Sequence, residues 1–309
     1  MAGNVVKLRA VPHRRSLMSK EIPPGGRILN LQKVLSFVRR AVDDYHMIEK
    51  GDHIAVGISG GKDSLTLLYA LHGLMRFYPE DFTIHAVTVD LGFGNQDLTE
   101  IEALCVRLAV PYTIVRTDIA DIVFQERKES NPCSLCAKMR KGALNEAIKK
   151  AGCNKVAYAH HRDDVVETMI MSLIYEGRFH TFRPVTYLDR MDLTVIRPLI
   201  YMNEADVIGF VNKMQLPVVK SPCPADGSTK REYAKELVRR INQDSPGAKM
   251  RMFTAIQSSG IDGWETNAVT LREPAYCNKC QRAGDSSAAL SRRAGSKKGI
   301  KDGKQQKLS

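Results

Sequence analysis

The sequence contains no apolar run that approaches the roughly 20 residues of a membrane-spanning helix, so we expect no integral membrane protein. It also has no apolar signal-peptide core near its start, and its seven cysteines are an odd number spread over 309 residues. These absences argue against a secreted scaffold held together by disulfides. Hydrophobic residues make up 43% and charged residues 26% of the chain, which is typical of a globular protein with a full core.

Positive charge is concentrated at the two ends of the chain, whose formal net charge is +12. Residues 1–27 hold six basic and one acidic residue, and residues 281–309 hold eight and two, so the body between them is nearly neutral. Basic tails can attract a polyanion through counterion release, or they can remain solvated and disordered, and both interpretations stay open. We expect a cytoplasmic protein, with a transit peptide in the acid-poor first segment as the alternative.

Strand-like and helix-like segments alternate along the middle of the chain. Short apolar segments typical of buried strands occupy 53–59, 82–90, 112–117, 155–160 and 193–198. The segments between them carry apolar residues at helical spacing, and so do three segments after residue 203. This alternation predicts an α/β fold, a doubly wound parallel sheet of about five strands with a helical C-terminal extension.

The strongest local motif is SGGKDS, at the end of the first expected strand. Its residues are Ser59, Gly60, Gly61, Lys62, Asp63 and Ser64. A glycine-rich turn at this point lets backbone N–H groups approach a phosphate, and the following helix adds positive charge at its N-terminus. Ser59 and Ser64 can add hydroxyl donors, and Lys62 can add a point charge. The GxxxxGK[ST] spacing of a Walker A loop is absent, which argues against a motor or switch that cleaves the terminal phosphate.

A second polar cluster, HHRDD at 160–164, follows the fourth expected strand. Open parallel sheets bind ligands at the carboxyl ends of their strands. His160, His161, Asp163 and Asp164 should therefore face the same crevice as the SGGKDS loop. Helix capping is the alternative explanation for the two aspartates. Asp90 ends the second strand on this edge and is a minor candidate, since an Asp there is commonly part of a turn.

Three cysteines lie in two short motifs that contain proline. Cys133 and Cys136 belong to PCSLC, which we expect in a loop just before a helix, and Cys223 belongs to SPCPAD. Three thiolates can hold an iron–sulfur cluster, which usually takes four, and the missing ligand would leave one iron open. A zinc half-site, a redox pair and chance spacing are the alternatives.

The other cysteines carry weaker signals. Cys105 and Cys153 lie in or beside amphipathic helices, and we expect them to be small core or surface residues and not ligands. Cys277 and Cys280 form a further CxxC pair with no second pair to complete a metal site.

In their order and spacing, the motifs resemble the TtcA-like tRNA 2-thiocytidine synthetase family of the PP-loop ATPase superfamily. The run covers roughly 31–257 and consists of SGGKDS, PCSLCAKMRKGAL, AHHRDDVVET, RPL at 197–199 and SPCPADGSTKRE. Ala159 replaces the glycine that usually begins the third of these motifs. The resemblance implies that residues 59–64 and the 160–164 cluster bind ATP and that Asp63 binds Mg²⁺. It also implies that Cys133, Cys136 and Cys223 ligate a [4Fe-4S] cluster.

The resemblance further implies an activity. ATP would adenylate the C2 carbonyl of a cytidine in the anticodon loop of tRNA, and sulfur delivered through the cluster would replace the oxygen. Asp63 and the three cysteines would be the catalytic residues. The implied partners are tRNA, a sulfur donor that is either a cysteine desulfurase or sulfide, and a second copy in a homodimer. The domains would be a basic tail at 1–27, a PP-loop ATPase and thiolase domain at 28–260, and an extension at 261–309.

Three other functions remain open at this stage. A tRNA 2-thiouridine synthetase usually carries several further CxxC pairs, and a tRNA lysidine synthetase-like ligase would not need the three cysteines. A non-catalytic iron–sulfur module for RNA binding or redox sensing is the third, and the intact SGGKDS motif argues against it.

Overall fold

The computed structural model describes residues 5–7, 31–94, 96–127, 132–220, 223 and 230–265. These residues include a sheet whose strands are β1 (Val5–Lys7), β2 (His53–Gly57), β3 (Thr83–Asp90), β4 (Tyr112–Arg116), β5 (Lys155–Ala157), β6 (Val185–Leu188) and β7 (Leu193–Ile196). The helices are α1 (Leu31–Asp44), α2 (Lys62–Leu74), α3 (Thr99–Arg107), α4 (Pro132–Lys150), α5 (Arg162–Glu176), α6 (Glu204–Met214), α7 (Lys230–Asp244) and α8 (Ala248–Ser258).

The sheet has the order β1-β4-β3-β2-β5-β7-β6. Its five inner strands, from β4 to β7, are parallel, which confirms the expected parallel sheet of about five strands. The two edge strands, β1 and β6, pair antiparallel to their neighbours and were not predicted. They have three and four residues, too few for a clear alternation of apolar and polar positions.

Helices cover both faces of the sheet, as its central strand shows. Ile54, Ala55 and Val56 in β2 have no exposed surface. Ile54 and Val56 face the larger core, which α1 and α2 share, whereas Ala55 faces the core beneath α4. A strand buried on both sides is what the continuous apolar run predicted.

Helix α4 begins earlier than the sequence suggested. It starts at Pro132, so Cys133 and Cys136 lie in its first turns and not in a preceding loop. Proline favours the first position of a helix because its missing N–H would have no partner there, and that signal was available in the sequence. A six-residue π-helix, Asp121–Glu126, also precedes α4.

The structure describes two of the remaining cysteines but not most of the two ends of the chain. Cys105 and Cys153 are buried in the core, as predicted. Apart from β1, the basic N-terminal tail lies outside the described residues. So does the separate unit Asn267–Ser309, with Cys277 and Cys280. Among the described helices, none has both the length and the apolar character needed to cross a membrane.

A buried ion pair anchors the edge of the sheet where the parallel strands begin. The Nζ atom of Lys155 lies 2.8 Å from Asp52 and 3.3 Å from Glu49, and it donates to the Met47 carbonyl. Asp52 also accepts a 2.7 Å hydrogen bond from Asn154. Lys155 and Asp52 are 6% and 3% exposed, so neither charge has water as an alternative partner. The buried Asp52 carboxylate therefore depends on the Lys155 ammonium for its opposite charge.

We expect Lys155→Met to lower the free energy of unfolding by about 3–5 kcal/mol, because it leaves the Asp52 carboxylate buried without its cation. The control is Lys150→Met, which removes a 2.6 Å ion pair with Glu146 on the exposed face of α4 and should cost less than about 1 kcal/mol. Urea denaturation of the two variants measures the difference. Equal losses would contradict the structural role of the buried pair.

Candidate active site

The SGGKDS loop joins β2 to α2 and depends on a backbone shape that favours glycine. Gly60 has a φ of +84°, in the left-handed region, and a Cβ atom there would lie 3.3 Å from the Cβ of Val219. The Gly60 carbonyl accepts a 3.0 Å hydrogen bond from the Val219 N–H. The loop is thus joined to the segment that leads toward Cys223.

The two serines of the loop brace it from within. The Ser64 hydroxyl donates to the Gly61 carbonyl at 2.9 Å and accepts from the Ser59 N–H at 3.2 Å, and Ser64 is 3% exposed. Ser64 is therefore a bracing residue and not the open donor that the sequence suggested, whereas Ser59 is exposed. Gly61 precedes α2, and no side chain caps that end of the helix. Its first N–H groups are left to bind an anion.

Lys62 lies between two carboxylates. Its Nζ atom is 3.0 Å from Asp63 and 3.3 Å from Glu204, at the start of α6. Burial alone would lower the pKa of Lys62, but the charges of Asp63 and Glu204 outweigh it and raise that pKa. Glu204 also pairs with Lys235 of α7 at 2.9 Å. Sequence reasoning missed Glu204, because nothing local in the sequence links it to the loop.

Asp63 has one carboxylate oxygen with no protein partner. Its Oδ1 atom is buried and makes no hydrogen bond within the described residues. The Nε2 atom of His161 lies 3.6 Å from it. The Nδ1 atom of His161 accepts from the Asp164 N–H, so in the neutral ring Nε2 carries the proton and faces Asp63. An unpartnered carboxylate oxygen beside a phosphate loop suits Mg²⁺, which is commonly held by one or two carboxylates together with substrate phosphates.

The two aspartates of the 160–164 cluster form hydrogen bonds and ion pairs with other residues of the chain. Asp164 forms a capping box with His161 at the start of α5, as the capping alternative anticipated. Asp163 is 2% exposed, accepts a 2.5 Å hydrogen bond from the Glu204 N–H and lies 2.8 Å from Lys249 of α8. Both residues therefore hold helices around the loop, and their predicted contact with ATP stays a prediction.

The two histidines face different neighbours. His161 faces Asp63, whereas the ring of His160 lies 4.7 Å from that of Phe182 and 6.0 Å from that of Tyr158. Burial and, to a smaller extent, the charge of Arg197 lower the pKa of His160 to about 4. His160 is therefore neutral at physiological pH.

Asp90 closes a turn at the end of β3. Its Oδ1 atom accepts a 3.0 Å hydrogen bond from the N–H of Gly92, whose φ is +85°. A Cβ atom at Gly92 would lie 2.5 Å from the Thr117 carbonyl oxygen, so the turn requires glycine. Asp90 therefore stabilises a turn, which was the alternative to nucleotide binding for this residue.

The cysteines of α4 have Cys223 as a neighbour. Cys133 and Cys136 are three residues apart and share one face of the helix. Burial raises the pKa of the Cys136 thiol, Cys223 and Cys133 raise it further, and Arg140 lowers it. None of the described cysteines forms a disulfide. Cys223 and Cys133 thus lie close enough to Cys136 to act on its ionisation, and their joint role as ligands stays a prediction.

The thiols do not form a site for a single metal ion. Among the described residues, no group of three His, Cys, Asp or Glu side chains is placed to hold one ion. A [4Fe-4S] cluster has a different requirement, since each cysteine binds a different iron. The assignment of Cys133, Cys136 and Cys223 as ligands of such a cluster stays a prediction.

Cys223 lies within reach of the phosphate loop. Val219, which bonds to Gly60, precedes it by four residues. Even fully extended, four residues span no more than about 14 Å. The chain therefore keeps Cys223 within about 14 Å of Val219, the residue that bonds to the phosphate loop.

Glu167 is a buried acid that sequence reasoning did not single out. It lies one turn along α5 from Asp163 and Asp164 and is 3% exposed. Burial and the charges of the two aspartates raise its pKa to about 7, although the charges of Lys235 and Arg231 of α7 oppose the rise. A glutamate in an amphipathic helix gives no local sign of such burial.

Comparison with known proteins identifies relatives over most of the chain. The PP-loop domain family matches residues 32–241. A tRNA-cytidine(32) 2-sulfurtransferase from Geobacter sulfurreducens is 36% identical over 231 residues, which are 74% of this chain and 90% of that protein. Its counterpart from Pelobacter propionicus is 37% identical over 224 residues, 72% and 83% of the two chains.

A solved structure shares the fold. It is a U34-tRNA thiolase from Methanococcus maripaludis with its [4Fe-4S] cluster. The TM-score is 0.60 at 22% identity, over 82% of this chain and 87% of the thiolase.

We expect the free energy of unfolding to fall between about pH 4.5 and pH 7 because of Glu167. The Glu167 carboxyl loses its proton near pH 4.5 in the unfolded chain but keeps it to about pH 7 in the folded chain. Glu167→Gln stays neutral and should remove that fall, gaining up to about 3 kcal/mol over the parent above pH 7. Urea denaturation at pH 4.5, 6 and 8 measures it, with the exposed Glu100→Gln as control. A gain that is the same at all three pH values would contradict this assignment.

Proposed function

The chain belongs to the PP-loop domain family, in the group of the tRNA-cytidine(32) 2-sulfurtransferases, and from this we propose that it catalyses the ATP-dependent 2-thiolation of a cytidine in the anticodon loop of tRNA. The observation that carries the proposal is the junction of the phosphate loop with the cysteine segment, through the hydrogen bond from Val219 to Gly60. Adenylation at the C2 carbonyl oxygen and sulfur addition at C2 act on the same carbonyl group, so their two sites must lie close together.

The phosphate loop would bind the polyphosphate of ATP. The uncapped N–H groups of α2 and the side chain of Lys62 supply positive charge there. In the absence of ATP, Asp63 and Glu204 hold the Lys62 ammonium beside the loop. The polyphosphate would take their place as its partner. Asp63 would hold Mg²⁺, which neutralises charge on the phosphate oxygens, and His161 orients Asp63.

The proposed reaction has two steps, adenylation and then sulfur addition. The C2 carbonyl oxygen of cytidine attacks the α-phosphorus of ATP, and pyrophosphate leaves. A sulfide equivalent then adds at C2, and the C–O bond breaks as AMP departs with the original oxygen. The target base must be unstacked for both steps, and a single-stranded loop provides such a base.

Cys133, Cys136 and Cys223 would hold a [4Fe-4S] cluster, the cofactor that the structurally similar thiolase carries. Bound there, the cluster would supply an open iron that holds sulfur for transfer. Arg140 acts on the Cys136 thiol and favours its ionised form, which is the form that binds iron.

The partners follow from this chemistry. tRNA would be the substrate, and the basic tails, outside the described residues, would add to its binding through their positive charge. A cysteine desulfurase or sulfide would supply the sulfur. We place the enzyme in the cytoplasm, as a homodimer.

Asp63→Asn should abolish the function while the protein stays folded. We expect AMP, pyrophosphate and 2-thiocytidine to form more than about 100-fold more slowly, because the variant loses a ligand of the metal that neutralises phosphate charge. Mass spectrometry of tRNA nucleosides and a pyrophosphate assay measure the loss in a reconstituted reaction. Asp81→Asn, an exposed carboxylate before β3, is the matched control and should retain full activity. Release of ADP by the wild-type protein would place it in another reaction class.

The cluster ligands can be separated from the packing cysteines by their iron content. After anaerobic purification we expect Cys133→Ser, Cys136→Ser and Cys223→Ser each to lose iron and the brown colour. Cys105→Ala and Cys153→Ala should keep both, because those residues are buried in the core. Equal iron in all five variants would show that the ligand assignment is wrong.

A further inference from the structure

A buried arginine without an anionic partner lies at the edge of the sheet where the parallel strands end. Arg197 directly follows β7 and is 8% exposed. Its Nη1 atom donates to the Arg183 carbonyl at 2.5 Å and to the Thr186 hydroxyl at 3.3 Å, whereas its buried Nε atom has no hydrogen-bond partner. Among the described residues no carboxylate forms an ion pair with it. Burying an unpaired charge is costly, so its presence calls for an explanation.

The guanidinium lies against a cluster of aromatic rings. It lies over the ring of Phe182, 4.9 Å from the centroid. His160 and Tyr158 extend this cluster, because the His160 ring is 4.7 Å from that of Phe182 and the Tyr158 ring is 6.0 Å from that of His160 and nearly perpendicular to it. The Nδ1 atom of His160 is also buried without a partner. Flat apolar surfaces and two unused polar atoms therefore occur in one cluster.

The cluster adjoins the strand that leads into the phosphate loop. The Tyr158 ring packs over Gly57, the last residue of β2, where a Cβ atom would be 3.7 Å from the ring. The charges of Arg197 and Arg140 both act on the Tyr158 hydroxyl, and Arg140 of α4 also acts on the Cys136 thiol. A group bound beside Tyr158 would thus lie near the end of β2 and near the helix that carries Cys133 and Cys136.

We propose that Tyr158, His160, Phe182 and Arg197 form the subsite that receives the unstacked pyrimidine base, with Arg197 donating to its carbonyl edge. This proposal rests on the proposed function and names the part of the site that recognises the substrate. Aromatic side chains stack on bases that have left a helix, and a planar guanidinium donates to the oxygen and nitrogen acceptors on a base edge. A base fits better than a phosphate, because three flat rings would contribute little to a phosphate.

The test compares the binding of two RNA stem-loops, one with cytidine and one with an abasic nucleotide at the position to be thiolated. We expect the wild-type protein to bind the cytidine loop about 10- to 100-fold more tightly. Arg197→Gln should lose most of this preference, with unchanged affinity for ATP and unchanged iron content. Arg197→Lys keeps the charge without the planar fork and should restore little of it. Arg190→Gln, an exposed arginine near the end of β6, is the control and should bind both loops as the wild type does.

Two results would overturn the proposal. One is a cytidine preference that survives in Arg197→Gln. The other is an equal loss of affinity for both loops, which would mean that Arg197 contacts the RNA backbone. If Arg197→Gln does not fold, Phe182→Leu and His160→Ala test the same subsite, and an unchanged preference in both would overturn it. Failure of the proposed function gives a different result, since the wild-type protein would then form no 2-thiocytidine whatever these variants bind.

Discussion

The hydrogen bond from the Val219 N–H to the Gly60 carbonyl is the constraint on which the candidate site depends. It holds the phosphate loop in a left-handed conformation that favours glycine, and the Val219 side chain packs where a Cβ atom would otherwise project. The same bond fixes the start of the segment that leads to Cys223, which we propose as the third cluster ligand beside the thiols of α4. One backbone contact thus determines how far the phosphates of ATP and the sulfur chemistry can lie from each other.

A network of alternating charges stabilises the helices around that contact. Lys62 and Lys235 share Glu204 at the start of α6, and the backbone of Glu204 donates to Asp163 at the start of α5. Asp163 in turn pairs with Lys249 of α8. Charges in a crowded, partly buried site are stable when each has an opposite partner. The network keeps Lys62 beside the loop, where the proposed polyphosphate would replace its carboxylate partners.

Much of this arrangement is predictable from local sequence, because it depends on local chemistry. Alternating strands and helices predict the parallel sheet, and SGGKDS predicts the phosphate loop. What could not be predicted depends on distant contacts: Glu204 and Glu167 acquire their environments from α7, and Arg197 acquires its aromatic neighbours from two other segments. The edge strands are too short to show a pattern. The opposite orientations of His160 and His161 follow from packing that adjacent positions in a sequence do not reveal.

The most direct test of the account is the nucleoside content of tRNA in cells that lack this protein. Mass spectrometry should show that 2-thiocytidine disappears when the gene is deleted, returns with the wild-type protein and stays absent with Asp63→Asn. The same cells should retain their other thiolated nucleosides. Unchanged 2-thiocytidine in the deletion strain would contradict the proposal that this chain thiolates cytidine.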